Sequence, residues 1–131
     1  MNEEIVKLWL LKADNDFKTG KDELATESPA TDTICFHMQQ CVEKHLKAFL
    51  VSKGVEISKS HNLSLVLQQC ADVDPDFEKL KSSGADELTP YAVNARYPDD
   101  FYMPSQEETQ NAVRMAEKVN TFVLAKIKPS T

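Results

Sequence analysis

The chain has 131 residues, with 21 Asp and Glu against 15 Lys and Arg, for a formal net charge of -6. That length predicts one domain over residues 1–131, and the acidic balance excludes a generic nucleic-acid coat, which needs a broad cationic face. A hydrophobic share of 41% excludes disorder, and 3 Gly with 6 Pro are too few for the turns of an all-β sandwich.

The first predicted helix runs roughly from Asn2 to Leu24. Ile5, Leu8, Trp9, Ala13 and Phe17 recur at three and four and are expected to form its inward stripe. Asp16 falls on or beside that stripe, where a carboxylate needs a partner. The opening residues Met1-Asn2-Glu3-Glu4 lack the basic-then-apolar order of a signal peptide, and no apolar run reaches the ~18 residues of a membrane span. A cytoplasmic protein without membrane contact is expected.

After a linker at Ala25–Pro29, Ser28-Pro29 or Thr31 starts a second helix. It runs to about Lys53 and stops at Gly54. Ile34, Met38, Cys41, Val42, Leu46 and Phe49 form its greasy face, while His37, Gln40, Lys44 and Lys47 form a polar row at the same spacing. A third helix begins near Ser60-His61-Asn62, buries Leu63, Val66, Leu67 and Cys70, and breaks at Asp72–Pro75. Asp74 as N-cap and Pro75 as first residue open a fourth helix toward Arg96, kinked or divided at Ser82-Ser83-Gly84. Pro98 ends it, because the residue before a proline disfavours helical geometry. Ser105 and Glu108 then read as a capping box for a fifth helix, with Ala112, Ala116, Val119, Val123 and Ile127 inward and Pro129 beyond. Long helices joined by short loops predict an all-α fold: an up-and-down antiparallel four-helix bundle with an additional short helix, five helices in all.

Three cysteines, Cys35, Cys41 and Cys70, are an odd count and read as buried free thiols. Cys35 and Cys41 lie about 9 Å apart along one helix, too far for a bridge. His37, Cys41 and His45 are spaced i, i+4, i+8; adjacent members suit a metal, but the outer two are about 12 Å apart along the axis and cannot share one ion. No metal and no cofactor is assigned. Arg96, at a helix end beside Tyr97, can grip a phosphate or carboxylate in bidentate fashion, or form a structural ion pair with Asp16. His61 either caps and packs at its helix entry or contacts an anion there. Charge is segregated. Four Lys against two Glu between Glu43 and His61 give +2, while three cations against eight carboxylates between Asp72 and Asp100 give -5. No glycine-rich phosphate loop and no nucleophile elbow is present.

The run from Cys35 to Leu50, CFHMQQCVEKHLKAFL, closely resembles the second helix of HEPN domains: His, x, Gln-Gln, two small residues, Glu-Lys, then Leu-Lys-Ala. Trp9, Ala13, Asp16 and Phe17 match the family's opening helix. His61-Asn62-Leu63 resembles its His-Asp/Asn-Leu element, and Ala95-Arg96-Tyr97-Pro98 its Arg-Tyr-Pro element. The resemblance covers nearly the whole chain. It implies a five-helix unit built on a four-helix bundle, usually a homodimer, of the kind found beside minimal nucleotidyltransferases in toxin–antitoxin pairs. Some members are metal-independent ribonucleases and others are thought to bind nucleotides. The ribonucleases carry Arg, four to six residues, then His. Here Tyr97-Pro98-Asp99-Asp100-Phe101-Tyr102-Met103-Pro104 follows Arg96 and no His falls in that window.

Metal-free RNA cleavage needs a group to move the 2′-hydroxyl proton and another to steady the phosphorane charge. Arg96 suits the second task, and the usual proton carrier is missing. The expectation is therefore a HEPN dimer that binds a nucleotide-type ligand or a protein partner, through Arg96, Lys44, Lys47 and His37 with Gln40 and Tyr97 assisting, and with Asp16 and His61 in support. No catalytic residue is assigned, and no extended nucleic-acid track is expected. Two alternatives stand beside it. One is a divergent ribonuclease toxin using Arg96 with His37 or His61. The other is a structural subunit docking a nucleotidyltransferase.

Overall fold

The computed structural model describes residues 2–94 and 102–127. Within them the fold is all-α, without strands: α1 (Asn2–Leu24), α2 (Thr31–Ser52), α3 (Leu63–Val73), a 3-10 turn at Pro75–Phe77 leading into α4 (Glu78–Ser82), a 3-10 segment at Ala85–Leu88, α5 (Tyr91–Asn94) and α6 (Gln106–Ile127).

α2 is the axis of the molecule. Thirteen of its 22 residues are buried, and it packs on α1, α3, α5 and α6. It runs antiparallel to α1, with Asp16 against His37 and Lys44 and with Gly20 beside Ile34 and Met38. Gly20 sets the closeness of that crossing. A Cβ there would run into the end of the buried Met38 side chain and lie 3.6 Å from the Ile34 carbonyl oxygen.

The up-and-down order is completed by an irregular member. Between Pro75 and Asn94 the chain climbs back along α6: Asp76 meets Lys126, Ser83 meets Lys118 and Tyr91 meets Glu108. The sequence places one fourth helix here, kinked or broken into two. The structure divides it further, into two 3-10 pieces and two short α-helices. Gly84 adopts φ +88, which ends α4 in a left-handed turn, and Pro90 supplies no N–H to carry a helix from Leu88 into Tyr91. α3 is the additional helix. It advances in the same sense as α2, with His61 at Gln39 and Cys70 at Leu46, because the Lys53–Asn62 connection first leads the chain back.

The helix ends follow their local chemistry. Asn62 caps α3 through Ser64 N–H at 2.9 Å, and Asp74 caps the next turn through Asp76 N–H at 3.0 Å. Ser105 Oγ accepts from Glu108 N–H at 3.0 Å and Glu108 answers toward Ser105 N–H at 3.4 Å, a reciprocal capping box. At the end of α2, Gly54 has φ +72. Its N–H reaches the Val51 carbonyl and Val55 N–H reaches the Leu50 carbonyl, a Schellman closure.

One expectation fails. Ile5 and Leu8 do not face inward; they are 46% and 59% exposed. The buried row of α1 is Val6, Ala13, Asp16 and Gly20, with Phe17 half-buried. Spacings of seven, three and four run α1 as a narrow seam against α2, which shares Ala13 with the expected row but replaces Ile5 by Val6 and adds Asp16 and Gly20. The three cysteines are free and fully buried, as expected.

Candidate functional site

The polar row of α2 exists because α2 is covered on that side by two polar elements rather than by a greasy helix face. From α1, Asp16 divides its carboxylate between two α2 side chains: Oδ1 is 2.8 Å from His37 Nδ1 and Oδ2 is 2.6 Å from Lys44 Nζ. The Asp16 side chain is only 12% exposed, so these bonds satisfy a carboxylate that the helix seam has taken out of water. A carboxylate on Nδ1 favours the proton there, which turns Nε2 outward as the reactive edge of the ring. The Phe36 ring meets the His37 ring edge-on, 5.6 Å between centroids. His37 and Lys44 remain 24% and 22% exposed.

A second centre lies along the same face, built on Glu43. Lys47 Nζ donates to Glu43 Oε2 at 2.9 Å and to the Ser60 carbonyl at 3.1 Å. Gln39 Nε2 donates to Glu43 Oε1 at 3.1 Å and to the His61 carbonyl at 3.2 Å. His61 Nδ1 lies 3.1 Å from both Glu43 oxygens. Glu43 and Lys47 are 4% and 5% exposed, so this is a buried ion pair that fastens the Ser60–His61 turn to α2. Gln40 joins this second centre by donating to Gln39 Oε1 at 2.7 Å.

The structure thus brings Asp16, His37 and Lys44 together, and separately Lys47, His61 and, through Gln39, Gln40. Arg96 and Tyr97, and with them the Asp16–Arg96 pairing, lie outside the described residues. Sequence reasoning missed Gln39 and Glu43. Their signal was present: Gln39, Glu43 and Lys47 are spaced four apart, and Glu before Lys at i, i+4 is the favoured order of a helical ion pair.

Two further polar groups belong to the scaffold. His45 is 1% exposed, with Nδ1 3.0 Å from the Cys41 carbonyl. Burial pushes its pKa below that of an ordinary histidine, so it stays neutral in the core. Cys41 beside it is held to about 12 by burial. Neither is a ligand in a polar cleft, and among the described residues no three His, Cys, Asp or Glu side chains are grouped to hold a metal ion. At the start of α6, the Tyr91 and Tyr102 hydroxyls both donate to Glu108. Burial tends to raise the Glu108 pKa, but the Tyr102 and Tyr91 hydroxyls and the Ser105 N–H outweigh it and hold the carboxyl below its usual range. No helix among the described residues is long and apolar enough to cross a membrane.

An α-helical up-and-down bundle with a polar Gln-Gln and Glu-Lys face on its central helix is the architecture of HEPN domains. The chain matches the HEPN domain family over residues 6–127 and belongs to it. Among proteins it resembles, it is 30% identical to one named "Putative toxin MJ1304" from Methanocaldococcus jannaschii, over 97% of this chain and 88% of that protein. The crystal structure of TT1696 from Thermus thermophilus superimposes with a TM-score of 0.76 at 26% identity, over 96% of this chain and 99% of that one. An archaeal HEPN homologue, ST0689, shares the fold with a TM-score of 0.67 at 22% identity, over 94% of this chain and 98% of that one.

Proposed function

We propose that this HEPN protein is a cytoplasmic homodimer that binds a nucleotide-type anion on the polar face of α2, or engages a protein partner there. The observation that carries the reading is a part-exposed ammonium and a part-exposed imidazole anchored on one buried carboxylate. Asp16 takes one of the three N–H donors of Lys44 and one edge of His37. What remains is a part-exposed ammonium with N–H donors to spare and the Nε2 edge of His37, an acceptor in the neutral ring and a donor in the imidazolium, with Gln40 on the same helix row. Such fixed donors suit a phosphate. The HEPN resemblance adds Arg96 and Tyr97 to the same role, and a nucleotidyltransferase as the partner class.

Calorimetric titration with nucleotides tests the ligand. Binding that is weakened in Lys44→Ala and in Arg96→Ala supports it; no heat with any common nucleotide removes it. Light scattering tests the dimer, and co-purification with a nucleotidyltransferase encoded beside this chain tests the partner.

The Asp16–His37 bond favours one second reading, a metal-independent ribonuclease toxin. A carboxylate that orients a histidine through Nδ1 leaves Nε2 to take a proton, which is the task left vacant after Arg96. The relative named a putative toxin is consistent with it. Growth arrest on expression, lost in both Arg96→Ala and His37→Ala, is the expected result under this reading. RNA left intact by the pure protein refutes it.

A further inference from the structure

Away from the polar face of α2, the returning segment and α6 enclose an open groove of about 570 Å³, within the ~300–1,000 Å³ of small-molecule sites. On one wall α6 contributes Arg114, Met115 and Lys118; on the other the turn at Gly84 brings Glu87 and Leu88.

The cations of this groove differ from those that hold the bundle together. Lys44, Lys47 and Lys126 each hold a carboxylate. The Arg114 guanidinium instead bonds the neutral Asn111 side chain, and Lys118 Nζ bonds the neutral Ser83 hydroxyl at 2.7 Å. Neither forms an ion pair with any described residue. They stand four residues apart on one helix, a like-charge spacing that is unfavourable without a counter-ion. A concave wall concentrates their field. Of the two carboxylates in the groove, Glu108 is occupied by the Tyr91 and Tyr102 hydroxyls. Glu87 lies on the opposite wall from Arg114 and Lys118. Leu88 and Met115 supply an apolar floor that a bare inorganic ion would not use.

We propose that this groove binds a small organic anion, with a phosphate or carboxylate head on Arg114 and Lys118 and a ring or alkyl body against Leu88 and Met115. The inference stands apart from the reading of the α2 face, and either can fail alone.

The test is titration of the ¹⁵N-labelled full chain with phenyl phosphate, inorganic phosphate and phenol, followed by amide shifts. Saturable shifts at residues 83–88 and 111–118 are expected with phenyl phosphate, with an affinity fitted separately from any shifts on the α2 face. Phenyl phosphate should bind about fivefold or more tightly than either fragment, since head and body each contribute. Losing one charge-assisted contact in Arg114→Gln or Lys118→Gln should weaken it about tenfold. Lys44→Ala should leave it unchanged. Both glutamine substitutions are at exposed positions, and an unaltered circular dichroism melt verifies the fold. The proposal is overturned by an absence of saturable shifts up to about 10 mM, which corresponds to a binding free energy weaker than about −3 kcal/mol. Shifts that spare residues 83–88 and 111–118, inorganic phosphate binding there as well as phenyl phosphate, or an affinity unmoved by both glutamine variants would overturn it equally.

Discussion

Replacing Glu43 by Met tests whether the buried half of the α2 network holds the fold. Met is unbranched and close in size to Glu, so the change removes charge without opening a cavity. Lys47 then keeps only the Ser60 carbonyl, with its side chain 5% exposed, and an ammonium is left in the core without its counter-charge. Breaking one member of such a pair costs about 3–5 kcal/mol. Gln39 keeps the His61 carbonyl, and His61, 55% exposed, returns to water, so neither adds much and the lower end applies. For a chain of this length, at roughly 2.1 cal/mol/K of unfolding entropy per residue, 1 kcal/mol moves Tm by about 4 °C. Glu43→Met should therefore lower Tm by about 12 °C and shift the urea midpoint with an unchanged m-value. The double variant Glu43→Met/Lys47→Met removes both charges and should recover to within about 1–2 kcal/mol of wild type, the remainder being the unmet Ser60 carbonyl. A single variant that costs under about 1 kcal/mol, or a double variant no better than the single, would refute a buried and energetically coupled pair.

The remaining predictions concern the core and the helix ends. Burial holds the His45 pKa below its unfolded value of 6.5, so the unfolded chain binds the proton first. Stability from this site is whole above pH 6.5 and is lost as pH falls from there toward the lowered folded pKa. Urea melts at pH 7.5 and 5.0 should show the loss, and His45→Gln should shrink the difference. Burial raises the Cys35 thiol to about 11 and the Cys41 and Cys70 thiols to about 12, so a thiol reagent at pH 8 should label the native protein only as fast as it unfolds; prompt native labelling would contradict the burial. Ser105→Ala removes the acceptor for Glu108 N–H and should cost about 1 kcal/mol in denaturant melts.

What could be read in the sequence follows from how many constraints acted on each stretch. α2 was legible throughout because a broad greasy face, a polar row and a glycine stop agreed with one another. The caps at Asp74 and Ser105 were legible because their chemistry is local. The phase of α1 was not. Ala13 and the partner-seeking Asp16 were placed correctly, but Ile5 and Leu8, large and correctly spaced, lost their places to Val6 and to Gly20, where the helices cross closely. Composition cannot report that, since it depends on how closely two helices approach. The returning segment was harder still. Its pattern of Phe77, Leu80, Leu88 and Tyr91 marks the buried side correctly, but no stretch between Gly84 and Pro90 is long enough to sustain an α-helix, so packing against α6 holds short pieces in place.

The two carboxylates along the α2 face differ in what they leave unused, and that difference separates scaffold from site. Around Glu43 both carboxylate oxygens are bonded, Lys47 is spent on Glu43 and Ser60, and almost no surface remains. A ligand there would have to break bonds that already hold the Ser60–His61 turn. Around Asp16 both carboxylate oxygens are likewise bonded, but Lys44 and His37 are part-exposed, and the Lys44 ammonium has donor capacity to spare. Substitutions in the first group should act on stability and leave the affinity of any retained ligand unchanged. Lys44→Ala should act on affinity. Its loss leaves Asp16 paired with His37 in a position 12% exposed, a smaller penalty than stranding a buried ammonium. A Lys44→Ala variant that melts as low as Glu43→Met would make both centres structural and would move the search for a binding site off this face.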